Sequence, residues 1–180
     1  MGSVSCIMID NEAELRNFDC GVSTVNDLVA NSFYPHLLQQ RMVFKILCRG
    51  RSVGFFSVSI LSVSLENSDA EIAEYYIDPP YFGAVKLDYI AVAKETQRRG
   101  IGTIALEYVI IAARELRKTW PIRLMVLDAI RDKIEWYKTL GFEALSCTEL
   151  NGTSPTVHMY LDLMPEEDKK GLDTYVTHVC

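Results

Sequence analysis

No two cysteines stand at the C-x-x-C spacing of a zinc knuckle or a redox motif. The five present, Cys6, Cys20, Cys48, Cys147 and Cys180, are odd in number and widely scattered. Neither a disulfide framework nor a structural zinc site is expected, and a reducing compartment fits. Basic residues are outnumbered: 18 Lys and Arg against 24 Asp and Glu leave a net charge of −6. That sign is opposite to the usual footprint of a nucleic-acid binder, although it leaves room for a local basic patch. No apolar run approaches the roughly 20 residues that span a bilayer. The first residues, Met1 to Asn11, also lack a charged start followed by a long apolar stretch, so a soluble cytoplasmic protein is expected. Repeats, low-complexity tracts and Gly/Ser linkers are missing, and apolar residues run evenly from Leu15 to Leu163. The expectation is one domain over residues 1–164 with a polar tail over 165–180.

What is present is an α/β pattern. A chain of 180 residues is long enough to bury a core without staples. Val25, Leu28, Val29, Phe33 and Leu37 predict one or two short helices between Thr24 and Leu38, interrupted or ended by Pro35. Val43 to Leu47 and Val53 to Ile60, rich in β-branched and aromatic residues around Arg49-Gly50-Arg51, predict a hairpin. Leu65 to Pro80 carries Glu66, Asp69, Glu71, Glu74 and Asp78 without a Lys or Arg, and reads as an acidic loop. A strand over Val85 to Ala93, a helix over Gly100 to Lys118 and a strand over Pro121 to Leu127 make a βαβ unit. A further helix over Ala129 to Leu140, stopped by Gly141 as a left-handed cap, precedes a closing strand from Val157 to Leu163. Hairpin and crossover together imply a mixed sheet.

The most informative turn is Gln97-Arg98-Arg99-Gly100-Ile101-Gly102, between the crossover strand and the long helix. Backbone N–H groups at a helix N-terminus, the helix dipole and two arginines make it an anion cradle. Gly100 and Gly102 allow a phosphate close to the backbone. A P-loop would need G-x-x-x-x-G-K-[ST], which is absent, and Lys118-Thr119 lies at the wrong end of the helix. A dinucleotide turn would place a third small residue at Ala105, but a hairpin precedes the unit and too little chain remains for a second half of that fold.

This turn resembles the Q/R-x-x-G-x-G/A pyrophosphate loop of the GNAT superfamily of acyl-CoA-dependent N-acetyltransferases, and Ile90-Ala91-Val92 is similar to its strand motif. A second block, Asp128-Ala129 followed by Trp136-Tyr137-Lys138-Thr139-Leu140-Gly141-Phe142, resembles the family's closing segment. Phe18-Asp19-Cys20-Gly21 with Asn26-Asp27-Leu28, and the hairpin with Gly54-Phe55-Phe56, also resemble the opening of the toxin-like branch that acetylates aminoacyl-tRNA. The likeness covers about Phe18 to Leu163. It implies a mixed sheet of six or seven strands with flanking helices and a V-shaped acyl-CoA cleft. Acetyl-CoA is then the cosubstrate, without a metal. Its pyrophosphate would lie on Gln97, Arg98, Arg99, Gly100, Ile101, Gly102 and Thr103, and its pantetheine arm along Ile90, Ala91 and Val92, with backbone groups of Ala91 and Val92 polarising the thioester.

By the same resemblance Tyr137 is the acid that protonates the departing thiolate, against the alternative of an ordinary core tyrosine; Trp136 reads as packing. No base stands out. Asp88 and Glu74 can accept the amine's proton, but each is also explained as a structural or solvated carboxylate. His36 and His158 lack partners at metal-ligand spacing and read as structural, and Cys20 and Cys147 have no Cys-His arrangement. The expected activity is direct acetyl transfer to a primary amine, of a small molecule or a protein. A cationic acceptor would suit the acidic loop. The alternatives are a toxin acting on aminoacyl-tRNA, with a small antitoxin as partner and phosphate contacts from Arg41, Arg49, Arg51, Arg114, Arg117 and Lys118, and a non-catalytic acyl-CoA sensor. The oligomeric state is left as monomer or homodimer.

Overall fold

The computed structural model describes residues 3–65 and 81–179, with side chains up to residue 172. The acidic stretch from Glu66 to Asp78, Glu74 included, lies outside the described residues. The strands are β1 (Val4–Met8), β2 (Met42–Cys48), β3 (Arg51–Ser64), β4 (Tyr81–Val92), β5 (Ile122–Ile130), β6 (Glu143–Ala144) and β7 (Thr156–Asp162). The helices are α1 (Ser23–Ala30), α2 (Phe33–Leu37), α3 (Ile101–Leu116), α4 (Ile134–Lys138), α5 (Cys147–Asn151) and α6 (Glu166–Val179). The strands form one seven-stranded sheet, order β1-β2-β3-β4-β5-β7-β6, in which β4 and β5 are parallel and the other described pairs antiparallel. The expected mixed α/β sheet is therefore present.

Each face of the sheet buries its own apolar layer. Ala105, Leu106, Val109 and Ile110 of α3 pack on Val85, Leu87, Met125 and Leu127, with Tyr137 and Phe142 in the same cluster. On the opposite face Val29 of α1 meets Val43, Phe55, Tyr89 and Ala91, while Leu65, Ala84, Leu124 and Tyr160 form a smaller group. Arg49 and Gly50, both at positive φ (52° and 75°), make the two-residue turn of the β2–β3 hairpin, a geometry that matches strand twist.

Several boundaries differ from the sequence reading. β5 continues to Ile130, so the helix expected from Ala129 shortens to a 3-10 turn over Arg131–Lys133 followed by α4. Pro35 ends no helix. It lies in the first turn of α2, where its missing N–H has no intrahelical role. The polar tail forms α6, joined to the rest by the Arg117–Asp168 and Lys169–Asp162 ion pairs. β1, the short β6 and α5 were not expected at all.

Asp162, at the end of β7, accepts from Arg123 Nε and Nη2 at 2.9 and 3.0 Å, and only 12–13% of either side chain is exposed. Burial raises its pKa, but Arg123, the Met164 amide and Lys169 outweigh burial and hold the carboxyl below its ordinary range. A depressed carboxyl stabilises the fold above its unfolded pKa of about 3.9, and that contribution is lost as pH falls through the lower folded value. Asp162→Asn is expected to be less stable at pH 7 and to show a shallower loss of stability between about pH 5 and pH 2. Urea midpoints across that range test this, and an unchanged acid slope would place the effect on other carboxylates.

Candidate active site

The site begins where two parallel strands stop pairing. With one register shift after Gly83, β4 and β5 pair from Gly83↔Ile122 to Leu87↔Leu127. Beyond that point β4 runs on beside β3 to Val92, and β5 runs on beside β7 to Ile130. The strands part at a bulge: Ser57 pairs with Tyr89 and Val58 with Leu87, leaving Asp88 as the extra residue. A bulge bends and twists its strand. It also shifts the phase of the alternation, so Leu87 packs under α3 while Tyr89 and Ala91 pack on the opposite face.

Asp88 pins this bulge. Its two oxygens accept from Ser57 Oγ at 2.9 Å and Ser59 Oγ at 3.0 Å, and Arg41 Nε lies 4.0 Å away. Nearby, Tyr89 shares a 2.8 Å hydrogen bond with Ser32 Oγ. Burial, opposed by Ser32, pushes the Tyr89 phenol up to about 12.

Past the bulge, backbone direction decides which groups face the opening. A Cβ on Gly54 would lie 2.3 Å from the Ala91 oxygen, and the Ala93 amide donates to the Val53 oxygen at 2.8 Å. The Ala91 carbonyl is therefore turned toward β3. By strand alternation it is the amides of Ile90 and Val92 that point into the gap left by β5. Ala91, expected to offer its backbone to a ligand, is directed the other way. The Val92 carbonyl is occupied: Gln97 Nε2 donates to it at 2.9 Å and to the Cys20 oxygen at 2.8 Å. The Gln97 side chain is thus a tie within the protein.

The second oxygen that Gln97 bonds explains the opening motif. Asp19 Oδ1 accepts from the Gly21 amide at 2.7 Å and from Asn26 Nδ2 at 2.9 Å, Asn26 Oδ1 accepts from the Cys20 amide at 2.9 Å, and the Asp19 carbonyl accepts from the Lys94 amide at 3.0 Å. The Phe18 to Asn26 segment is a brace behind the β4–α3 turn. Cys20 is buried within it, as befits packing.

The turn itself has the expected geometry. Arg98 and Gly100 have positive φ (59° and 76°), and Gly100 caps α3 with no side chain on the helix amides. The first helical amide directed inward is that of Ile104, to the Gly100 oxygen at 3.1 Å, leaving those of Ile101, Gly102 and Thr103 for an anion. Arg98 and Arg99 are exposed, and Arg99 Nη2 donates to the Glu95 carbonyl. A Cβ on Gly102 would be in ordinary contact, 3.7 Å from both Trp136 and Val92. Trp136 does more than pack: its Nε1 donates to Thr103 Oγ1 at 3.2 Å, joining α4 to α3 across the opening.

Tyr137 is the neighbour of that indole, ring centroids 4.7 Å apart, with Phe142 at 5.8 Å on its other side. Only 8% of it is exposed. Burial alone pushes the phenol far above its ordinary pKa, and no described residue hydrogen-bonds its hydroxyl. Gly141, at φ 88°, turns the chain after α4 so that the Phe142 amide returns to the Tyr137 carbonyl. His36 accepts from the Val43 amide at 3.4 Å, a structural role. His158, by contrast, lies between two carboxylates, Asp128 and Glu149. The sequence could not reveal this, because the pairing depends on the β5–β7 register. Among the described residues no group of three His, Cys, Asp or Glu is arranged to hold a metal, and no helix is long and apolar enough to cross a membrane.

The free helix amides, the parted strands and the unpartnered phenol fit an acyl thioester of coenzyme A. A family model described as an acetyltransferase (GNAT) domain matches residues 43–144. No curated protein matches by sequence. Among solved structures, the chain is similar to a bacterial toxin, with a TM-score of 0.74 at 22% identity over 96% of this chain and 97% of that one. It is also similar to AtaT complexed with acetyl-methionyl-tRNAfMet, with a TM-score of 0.72 at 16% identity over 94% and 99%. A third likeness is to AtaTR bound with AcCoA, with a TM-score of 0.70 at 15% identity over 94% and 97%. These likenesses establish the fold along nearly the whole length of the chain. Together with the matched domain, which spans more than half of the residues, they place the chain in the GNAT acetyltransferase family.

Proposed function

We propose that the protein transfers an acetyl group from acetyl-CoA to a primary amine by direct attack of the amine on the thioester. The observation that carries this reading is the Tyr137 hydroxyl, which has no hydrogen-bond partner among the described residues beside the parted strands and is a donor free for a ligand. Bound acetyl-CoA supplies the activated acetyl group and the thiolate leaving group. The amides of Ile101, Gly102 and Thr103 hold its pyrophosphate, with Arg98 and Arg99 adding charge from the rim. The amides of Ile90 and Val92 hydrogen-bond the pantetheine arm and stabilise negative charge on the carbonyl oxygen. Tyr137 donates its proton to sulfur. Asp88, whose oxygens already accept from two serines, acts by fixing the bulge that aims these amides rather than as a base. A non-catalytic sensor would have no need of the unpartnered phenol.

A second reading narrows the acceptor to the amino group of an aminoacyl-tRNA, with a small antitoxin as partner. Its support is the whole-length likeness to AtaT complexed with acetyl-methionyl-tRNAfMet and an exposed group of arginines. Arg49 and Arg51 on the β2–β3 turn, and Arg98 and Arg99 on the β4–α3 turn, lie at one end of the sheet. Other basic residues are engaged elsewhere: Arg41 near Asp88, Arg117 with Asp168, and Lys118 with Glu115. Thiol release with small primary amines and with charged tRNA separates the readings, and transfer to tRNA should fall steeply with salt.

Gly102→Asp tests the cradle. The space for a Cβ means the variant folds, while its carboxylate stands where diphosphate is to bind. Calorimetry should show CoA affinity reduced about tenfold or more, equivalent to about 1.4 kcal/mol; undiminished affinity would remove the diphosphate from this turn.

A further inference from the structure

On the sheet face away from α3, four ionisable side chains form a row at the point where β4 and β5 part. Lys86 Nζ donates to Asp128 Oδ2 at 2.7 Å. Asp128 Oδ1 lies 3.1 Å from His158 Nε2, and His158 Nδ1 lies 2.8 Å from Glu149 Oε2. β4, β5, β7 and α5 contribute one member each. Beside the row is a cavity of about 200 Å³, walled by apolar Leu61, Val63, Val126 and Leu145, with Lys86, Asp128 and His158 as its polar side.

A neutral imidazole has one N–H and one lone pair. In the tautomer whose Nδ1–H donates to Glu149, the lone pair is at Nε2, facing Asp128. That contact is unsatisfied until a proton arrives, and a carboxylate at the cavity attracts the cation that carries one. Glu149 is suited to hold the ring: the His158 amide, at 3.1 Å, and then the ring itself lower its carboxyl below the ordinary range against slight burial. Among the described residues, other charges nearby have partners. The Arg131 guanidinium donates to the Glu149 and Leu150 carbonyls, and Glu143 accepts from the Tyr160 hydroxyl at 3.0 Å. Asp88 is on the other arm of the opening, with its serines and Arg41.

We propose that His158 is the proton acceptor for the substrate amine, with Asp128 drawing the ammonium into the cavity and Glu149 positioning the ring. This rests on the acetyl-transfer reading above. The ammonium gives one proton to Nε2 of neutral His158, which then donates to Asp128 and releases the proton to solvent. The freed nitrogen lone pair forms the N–C bond as the C–S bond breaks. The second proton lost from nitrogen replaces the one Tyr137 gives to sulfur. One amide, one thiol and one released proton balance one ammonium and one thioester. Asp128 and Glu149 are positioning residues in this scheme.

The pH profile of kcat tests the proposal, using whichever of hexylamine, spermidine or methionyl-tRNA the wild-type protein acetylates fastest. His158→Gln keeps a polar group of similar reach but cannot titrate. Its kcat at pH 7 should fall about 100-fold, its acid limb should move toward alkaline pH, where the amine is already neutral, and its CoA affinity should stay unchanged by calorimetry. Glu149→Gln should lower kcat while leaving KM for the amine near wild type, because the ring is no longer held toward the cavity. An acid limb in His158→Gln that coincides with the wild-type limb overturns the proposal and leaves acetyl transfer standing. Wild-type protein that transfers acetyl to none of the three probes removes both.

Discussion

Tyr137→Phe is expected to lower kcat for acetyl transfer by about 100-fold or more while leaving thermal stability and CoA affinity close to wild type. Such a separation is unusual for a buried tyrosine. A hydroxyl that bonds to a neighbour costs stability when removed, but that of Tyr137 has no partner among the described residues, and the ring packing against Trp136 and Phe142 is retained by phenylalanine. The change in stability should therefore stay within about 0.5 kcal/mol. Burial keeps the phenol protonated across the neutral range, so the donor is always loaded. It also places the phenol well above a thiol near 8.5, so complete proton transfer before C–S cleavage is uphill. On the proposed reading the hydroxyl acts instead by hydrogen-bonding the sulfur as charge develops on it, and the proton crosses as the bond breaks. Single-turnover rates and melting curves on the same preparation test this. Unchanged turnover would remove Tyr137 from the chemistry, and a large fall in stability would make it a packing residue.

What the sequence revealed about this site was its local chemistry. A strand entering Gln97 to Gly102 and a helix leaving it are contiguous in the chain, so this strand–turn–helix corner was legible from residue order alone. The Trp136 to Phe142 block was legible for the same reason. The bulge was not. Val85, Leu87, Tyr89 and Ala91 alternate without a break in the sequence, and because β4 is buried on both faces the phase slip at Asp88 leaves no apolar-to-polar signature. That slip explains why the sequence left Asp88 between proton acceptor and structural or solvated carboxylate, while the fold pins it on Ser57 and Ser59. The helix start was misplaced by the same ambiguity: Leu127 and Ala129 continue strand burial into a segment whose composition also suits a helix. The row from Lys86 to Glu149 joins residues up to 72 positions apart through two strand registers. Likewise, the bonds of the Gln97 side chain to the Cys20 and Val92 carbonyls were out of sight of the sequence, because the Phe18 to Asn26 brace is a tertiary contact.

Two glycines packed at opposite ends of β4, Gly83 within it and Gly54 on the neighbouring β3, separate what stabilises the fold from what shapes the cleft. A Cβ on Gly54 would lie 2.3 Å from the Ala91 oxygen and 3.1 Å from Val92 Cα, and one on Gly83 would lie 2.2 Å from the Pro121 oxygen. Backbone atoms cannot yield as a flexible side chain does, so either glycine replaced by valine must push adjoining chain segments apart. Gly54→Val and Gly83→Val are each expected to lose on the order of 3 kcal/mol of stability, measured as a lowered urea midpoint. Gly171→Ala, with open space around its Cβ, should instead be neutral or gain up to about 1 kcal/mol. The two severe variants then diverge in ligand binding. Gly83 lies where β4 and β5 are still paired, at a register shift before Ala84, whereas Gly54 faces Val92 at the mouth. Displacement there moves the Ile90 and Val92 amides and the start of the cradle, and errors of about 1 Å in such groups can lower rates about 100-fold. Per folded molecule, Gly54→Val should lose CoA affinity and turnover, and Gly83→Val should keep both. If both variants bind CoA as wild type once corrected for the folded fraction, the β3–β4 pairing at the mouth does not set the ligand geometry, and the gap left by β5 must be shaped from its other arm, by Trp136 and the end of β5.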